Sequence, residues 1–292
     1  MVPAVDPRDR NGLESWLLSE RRLGVEFVPV PPRGRAAAAP APAPRPPAST
    51  PPAVSGAPDR RAPLPPTQVP LLVPDATGFP PLCDRELSVE DARQALDALD
   101  RDFVRGCTRC VLHKQRTQTV YGVGHPRPEL AFVGEGPGAD EDAQGEPFVG
   151  RAGQLLTRMI GAMTLTRDQV YICNTVKCRP PENRTPTEDE MRTCSPFLWR
   201  QLAILRPRVI VALGRPAAQC LLATNAPIGR LRGEFHDFPP PALAHLGLPA
   251  CVVMPTFHPA YLLRSPGEKA KAWEDLKQVM QRLGIPIPCA RG

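Results

Sequence analysis

Two cysteines in a CxxC turn, Cys107 and Cys110, and two single cysteines about seventy residues further on, Cys178 and Cys194, bracket the glycine-rich segment GEGPGADEDAQGEPFVGRAG, Gly134 to Gly153. A chain that gathers these four sulfurs on one centre must bring residues before that segment against residues after it. The CxxC pair presents two thiolates from one tight turn. The later pair, sixteen positions apart, completes a four-thiolate shell suited to iron–sulfur or zinc. Zinc ribbons commonly use two close CxxC pairs, and the CxxxCxxC spacing of radical enzymes is absent here. Spacing alone leaves iron–sulfur and zinc both open.

Prolines divide the chain. There are 40 in 292 residues, and they crowd the stretch from Pro31 to about Leu82, which has almost no large apolar side chains to offset the entropy of ordering it. Residues 31–85 are therefore expected to form a disordered Pro/Ala-rich linker. Ahead of it, Leu13, Trp16, Leu17 and Leu23 fall at roughly helical spacing, and residues 1–30 are expected to hold a short helix that docks on a protein partner. Residues 86–292, rich in Val, Leu, Ile and Phe, form one catalytic-sized domain. A monomer is expected.

The net charge of +6 favours a polyanionic partner. Its placement beside loop motifs adds to that, with Lys177, Arg179 and Arg184 around one cysteine, Arg230 and Arg232 in a glycine-flanked loop, and Arg264 after a histidine. Nine cysteines, with no signal-peptide pattern and no membrane-length apolar run, point to a reducing cytoplasm and no membrane. Cys173, Cys220 and Cys251 lie in apolar runs and read as small buried hydrophobes, while Cys83 and Cys289 receive no role.

From Leu87 onward the pattern alternates. LSVEDARQALDALDRDFVRGC opens on a capping box, Ser88 followed by Asp91, and reads as a helix delivering Cys107. Strand-like runs at ELAFVG, QVYICNTV, RVIVALG and ACVVMP are separated by the helical stretches AGQLLTRMIGAM, TEDEMRTCSPFLWRQLAIL and PAAQCLLA, with KAWEDLKQVMQRL closing the chain. Such alternation implies an α/β fold, a single domain with a central parallel sheet flanked by helices. Glu135, Asn174 and His258 each follow the C-terminal end of an expected strand, the edge at which open parallel sheets bind ligands.

Gly134, Gly136 and Gly138 let the backbone turn sharply after a strand and approach a ligand closely. They do not make a dinucleotide fingerprint, because residue 139 is Ala and the acidic residues after it read as loop; a lysine-bearing phosphate loop is also missing. Phe148 stands among small residues and glycines, without the apolar periodic neighbours of a core phenylalanine. Asn174 carries a donor and an acceptor on one amide.

The stretches CTRCVLHKQRTQTVYGVG, NTVKCRPPENRTP and FHPAYLLR resemble, in order and spacing, the family 4 uracil-DNA glycosylases, over roughly Cys107 to Leu283. That resemblance implies a uracil-DNA glycosylase-like three-layer sandwich. It also implies a four-iron, four-sulfur (4Fe-4S) cluster on Cys107, Cys110, Cys178 and Cys194, with a structural role. The activity it implies is hydrolysis of the N-glycosidic bond of uracil flipped from single- or double-stranded DNA. This leaves an abasic site and initiates base excision repair.

By the same resemblance Glu135 positions or activates the attacking water, with Glu141 a second candidate, because cleavage builds positive charge on the sugar. Phe148 is the stacking platform for the extruded base, and Asn174 reads its O4 and N3–H edge. His258 donates to O2 as the base leaves with negative charge. Tyr261, Leu262 and Leu263 form an apolar tip that fills the space left in the duplex, and Arg264 contacts phosphate. Glu135 argues against a sister family that has an apolar residue there and accepts other deaminated bases, and KCRPPENRTPTEDE lacks the inserted basic loop of a covalent-trapping branch. No lysine occupies a nucleophilic position, so no lyase step is expected. The rivals are a glycosylase of broader deaminated-base specificity and a non-catalytic iron–sulfur DNA-binding protein, which would bind without turnover.

Overall fold

Three segments, Leu130–Gly134 (β2), Tyr171–Asn174 (β3) and Val209–Leu213 (β4), have every residue buried, as strands covered on both faces require. A computed structural model describes residues 78–288. In it these strands pair in parallel, Phe132 lying opposite Ile172 on one side and Val211 on the other. Cys251–Thr256 (β6) continues the parallel set beyond β4.

The sheet is mixed rather than wholly parallel. Val123–Gly124 (β1) and His236–Phe238 (β5) close its two edges antiparallel, giving the order β1-β3-β2-β4-β6-β5. At two and three residues, these edge strands are too short to carry a sequence period. The chain leaves β2 for β3 on one side and then passes to β4 on the other. The strand order therefore reverses beside the C-terminal end of β2, where open α/β sheets form a ligand crevice.

Helices cover both faces. Val89–Leu99 (α1) begins as expected, the Ser88 hydroxyl accepting from the Asp91 amide at 3.1 Å. It continues as a π-helical turn, Asp100–Val104, that leads to Cys107. Arg151–Ala162 (α3), Glu188–Leu205 (α4), Arg215–Leu222 (α5) and Lys269–Leu283 (α8) coincide with the expected helices, α4 capped by Thr187 and Glu190. Two short helices replace expected loops, Ala139–Gln144 (α2) and Pro259–Arg264 (α7), and Ile228–Leu231 adds a single turn (α6). In α2 the acidic side chains that suggested a loop occupy the first turn, where the helix dipole favours them. Cys173 is buried in β3, and burial pushes the half-buried Cys220 and Cys251 thiols up to about 12. Among the described residues no helix is long and apolar enough to cross a membrane.

The ordered domain begins earlier than residue 86. Phe79 is buried edge-on against Phe197 at 5.0 Å, the Arg109 and Arg200 guanidinium groups lie over its ring, and Arg200 donates to the Pro80 carbonyl. A lone aromatic in a proline-rich stretch thus anchors residues 78–85, which were expected to belong to the linker. The expected docking helix over 1–30, the linker over 31–77 and Cys289 lie outside the described residues. Phe79→Ala should lower stability by roughly 3 kcal/mol, and a chain starting at Glu86 should melt below one starting at Gly78. Equal melting temperatures for the two truncations would contradict this packing.

Candidate active site and metal centre

The C-terminal ends of β2, β3 and β6 deliver Glu135, Asn174 and His258 to one cavity of about 460 Å³. The segment after β3 is pulled onto the end of β2. Thr175 donates through its amide (2.9 Å) and hydroxyl (3.0 Å) to the Gly134 carbonyl, and the Val176 amide donates to the Glu135 carbonyl at 3.1 Å. A Cβ at residue 134 would overlap Asn174 Oδ1 and come within 2.6 Å of the Phe148 ring, and one at residue 136 would meet Val176 at 2.8 Å. None of Gly134, Gly136 and Gly138 has a left-handed φ. These glycines thus serve close packing rather than the sharp turn expected of them.

Asn174 is 1% exposed, and its Oδ1 has no hydrogen-bond partner among the described residues. An orphaned buried acceptor is expensive, and facing a cavity it marks where a donor belongs. Phe148 is buried with φ +56°, its ring centroid 5.7 Å from that of His258, so the two rings occupy adjacent walls.

His258 caps α7, its Nδ1 accepting from the Ala260 amide at 3.1 Å. That bond leaves the proton on Nε2, which becomes a donor. Burial, with Arg264 nearby, lowers the His258 pKa to about 4 and keeps the ring neutral. Glu135 is half-buried. Burial raises its carboxyl above the usual glutamate value, opposed by a hydrogen bond to Thr185 and by the charge of Arg215. Neither Thr185 nor Arg215 was singled out from sequence; the RTP tripeptide holding Thr185 gave no sign that it folds over Glu135.

Glu141 lines the same cavity, but its carboxylate is taken up by the backbone. Oε2 accepts from the Gly138 amide (3.1 Å) and Oε1 from the Val149 and Gly150 amides (both 3.0 Å). It clamps the Phe148 turn and has little freedom to orient water. A helix does follow Gly138, where acidic loop was expected, and the Glu141 carboxylate in its first turn would repel a pyrophosphate there.

The expected apolar tip divides in two. Because residues 259–264 are helical, Tyr261 (38% exposed) and Arg264 face outward, Leu263 is half-buried, and Leu262 (1%) points into the core. Three of the basic residues read as loop charges are engaged internally. Lys177 is buried, donating to the Asn174 carbonyl and to Gln201 Oε1 at 2.6 and 2.5 Å. Arg184 pairs with both Glu190 oxygens, and Arg232 with both oxygens of the buried Asp275. Arg179 bonds Asn183 at 2.8 Å, and Arg230 is exposed.

The four cysteines converge. Cys107 and Cys110 from the turn after α1, Cys178 after β3 and Cys194 within α4 line one small cavity. Arg116 donates to Cys178 Sγ at 3.0 Å and the Lys177 amide to Cys194 Sγ at 3.3 Å, contacts suited to thiolate acceptors. Among the described residues no three or more His, Cys, Asp or Glu side chains are close enough together to hold a metal ion as they stand, although the four cysteines line one cavity. Burial raises the Cys110, Cys178 and Cys194 thiols, Cys194 to about 12, opposed by the charges of Arg116 and Lys177.

The sequence that builds this sheet and cavity has relatives among known proteins. The model of the uracil DNA glycosylase superfamily matches residues 121–277, and the chain belongs to that superfamily. The type-4 uracil-DNA glycosylase of Thermotoga maritima is 45% identical over 174 residues, 59% of this chain and 86% of the relative. That of Archaeoglobus fulgidus is 41% identical over 199 residues (67% and 96%), and that of Saccharolobus solfataricus 42% over 195 (64% and 88%).

Nitrogen-15 NMR should find the His258 ring protonated on Nε2 and titrating near pH 4. The unfolded chain takes up that proton near 6.5 and the folded chain only near 4, so His258 makes the fold lose stability as pH falls through this window. A His258 midpoint at or above 6.5 would contradict the assignment.

Proposed function

We propose that this chain is a monofunctional uracil-DNA glycosylase that takes uracil out of single- or double-stranded DNA, hydrolyses its N-glycosidic bond and leaves an abasic site. The observation that carries this reading is the unpartnered Asn174 Oδ1 beside Phe148 and His258. A flipped uracil presents N3–H to Asn174 Oδ1, and its O4 accepts from Asn174 Nδ2. Cytosine, with an acceptor at N3 and a donor at C4, would leave both groups of a buried amide unpaired. Phe148 supplies the flat face for the ring.

As the bond to the sugar lengthens, negative charge gathers on the base, and the neutral His258 donates to O2 through Nε2–H. Positive charge gathers on the sugar, where the Glu135 carboxylate stabilises it and orients water for attack. The raised pKa of Glu135 makes it a stronger base than an exposed glutamate. Glu141 acts by holding the Phe148 turn. Tyr261, with Leu263 beside it, fills the space left in the duplex, and Arg264 contacts phosphate; Leu262 anchors their helix.

Cys107, Cys110, Cys178 and Cys194 would hold a 4Fe-4S cluster, a reading supported by their lining one small cavity and by four thiolates being the ligand set such clusters use. When bound it supplies a crosslink between the segment before β2, the loop after β3 and α4. Purified under reducing, iron-replete conditions, the protein should contain four irons per chain, and a colourless zinc protein would overturn the assignment.

Under single-turnover conditions His258→Ala should slow uracil release by roughly 10²–10³-fold, and Glu135→Gln by roughly 10² or more. The acid limb of the wild-type profile should reflect Glu135, with its midpoint above the usual glutamate value, and Glu135→Gln should abolish it. Unchanged release in either variant removes that residue from the mechanism.

A further inference from the structure

Phe148 is an aromatic residue with φ +56°, a conformation that bulky side chains rarely adopt and that persists only when the surroundings over-determine it. From one side, Glu141 accepts from the amides of Val149 and Gly150. On the other stands Arg167, in the 3-10 turn Arg167–Gln169 that leads into β3. Its Nη1 donates to the Phe148 carbonyl at 3.1 Å and to Thr157 Oγ1 at 3.3 Å; its Nη2 donates to the Pro147 carbonyl at 2.8 Å and pairs with Glu146 at 3.3 Å. Gly153 completes the fit, because a Cβ there would overlap the Phe148 carbonyl. Arg167 is half-buried and does not line the cavity, so it reaches the site only through this turn.

We propose that Arg167 is a positioning residue for base recognition: its guanidinium fork fixes two successive carbonyls and thereby holds the Phe148 ring in the orientation that receives the base. The proposal rests on the reading of Phe148 as the base platform. A planar, two-armed donor suits adjacent carbonyls as a point charge does not, so lysine cannot replace it fully. Arg167 stands in the turn just before β3 and Asn174 is the last residue of that strand, which ties the platform and the base-reading amide to one short element.

The test is a double-mutant cycle on full-length, iron-replete protein, reading single-turnover excision from a single strand with one uracil and inhibition by free uracil. Arg167→Met should lower the excision rate and weaken inhibition by free uracil, each on the order of tenfold, the scale of a lost base–aromatic stack. In a Phe148→Ala background the same substitution should change neither by more than about twofold, because its route to the base is already gone. Equal losses in both backgrounds, or none in the first, overturn the proposal. If Phe148→Ala alone leaves excision and uracil inhibition unchanged, the platform reading itself falls, a result distinct from failure of the cycle. Glu146→Gln, which removes only the partly exposed ion pair, should leave the rate within about twofold. Should Arg167→Met not fold, Arg167→Lys carries the same comparison with an expected loss of about threefold.

Discussion

The site depends on a close approach at the end of β2. Gly134, Asn174 and Phe148 occupy a space that leaves no room for a Cβ at residue 134, and Thr175 fastens this contact with two hydrogen bonds to the Gly134 carbonyl. Sheet topology puts that contact at the point where the strand order reverses, so an amide, an aromatic face and a carboxylate reach one crevice from adjacent strand ends. With the Asn174 amide on a strand end rather than a free loop, its orientation is fixed before any ligand arrives.

A few charged side chains of the described residues are built into the packing behind the cavity. Lys177 is buried between the Asn174 carbonyl and Gln201, whose own amide donates to the Tyr121 carbonyl and the Tyr171 hydroxyl at 3.1 and 3.3 Å. The Lys177 backbone amide meanwhile reaches Cys194, so the short run from Asn174 to Cys178 connects the cavity to two of the four cysteines. Arg184, which lines the cavity, pairs with Glu190, and Arg232 pairs with the buried Asp275, which also accepts from Thr256 at the end of β6.

The central strands were legible because LAFVG and VIVAL are apolar throughout, the mark of strands covered on both faces. The cysteine quartet and the trio Glu135, Asn174 and His258 were legible as well, since each follows a strand or sits in a short motif. Other features depend on tertiary partners. Lys177 reads as a loop charge until Gln201 arrives from α4, and Phe79 reads as linker until Phe197 and two arginines surround it. The helical phase that turns Leu262 inward did leave a trace, Pro259 at the first position of α7, where proline's fixed φ starts a helix readily. Nothing local announced Thr185 over Glu135 or Arg167 behind Phe148, because those contacts span a loop and a strand.

The most direct measurement uses one oligonucleotide carrying a single uracil among cytosines and thymines, as a single strand and as a duplex, treated with the iron-replete protein and then with hot alkali. Breakage at the uracil position alone, in both forms, is the predicted result. Breakage at cytosine would contradict recognition by Asn174, breakage at thymine, which shares the O4 and N3–H edge of uracil, would contradict specificity for uracil, and intact DNA that the protein nonetheless binds would contradict catalysis by this site.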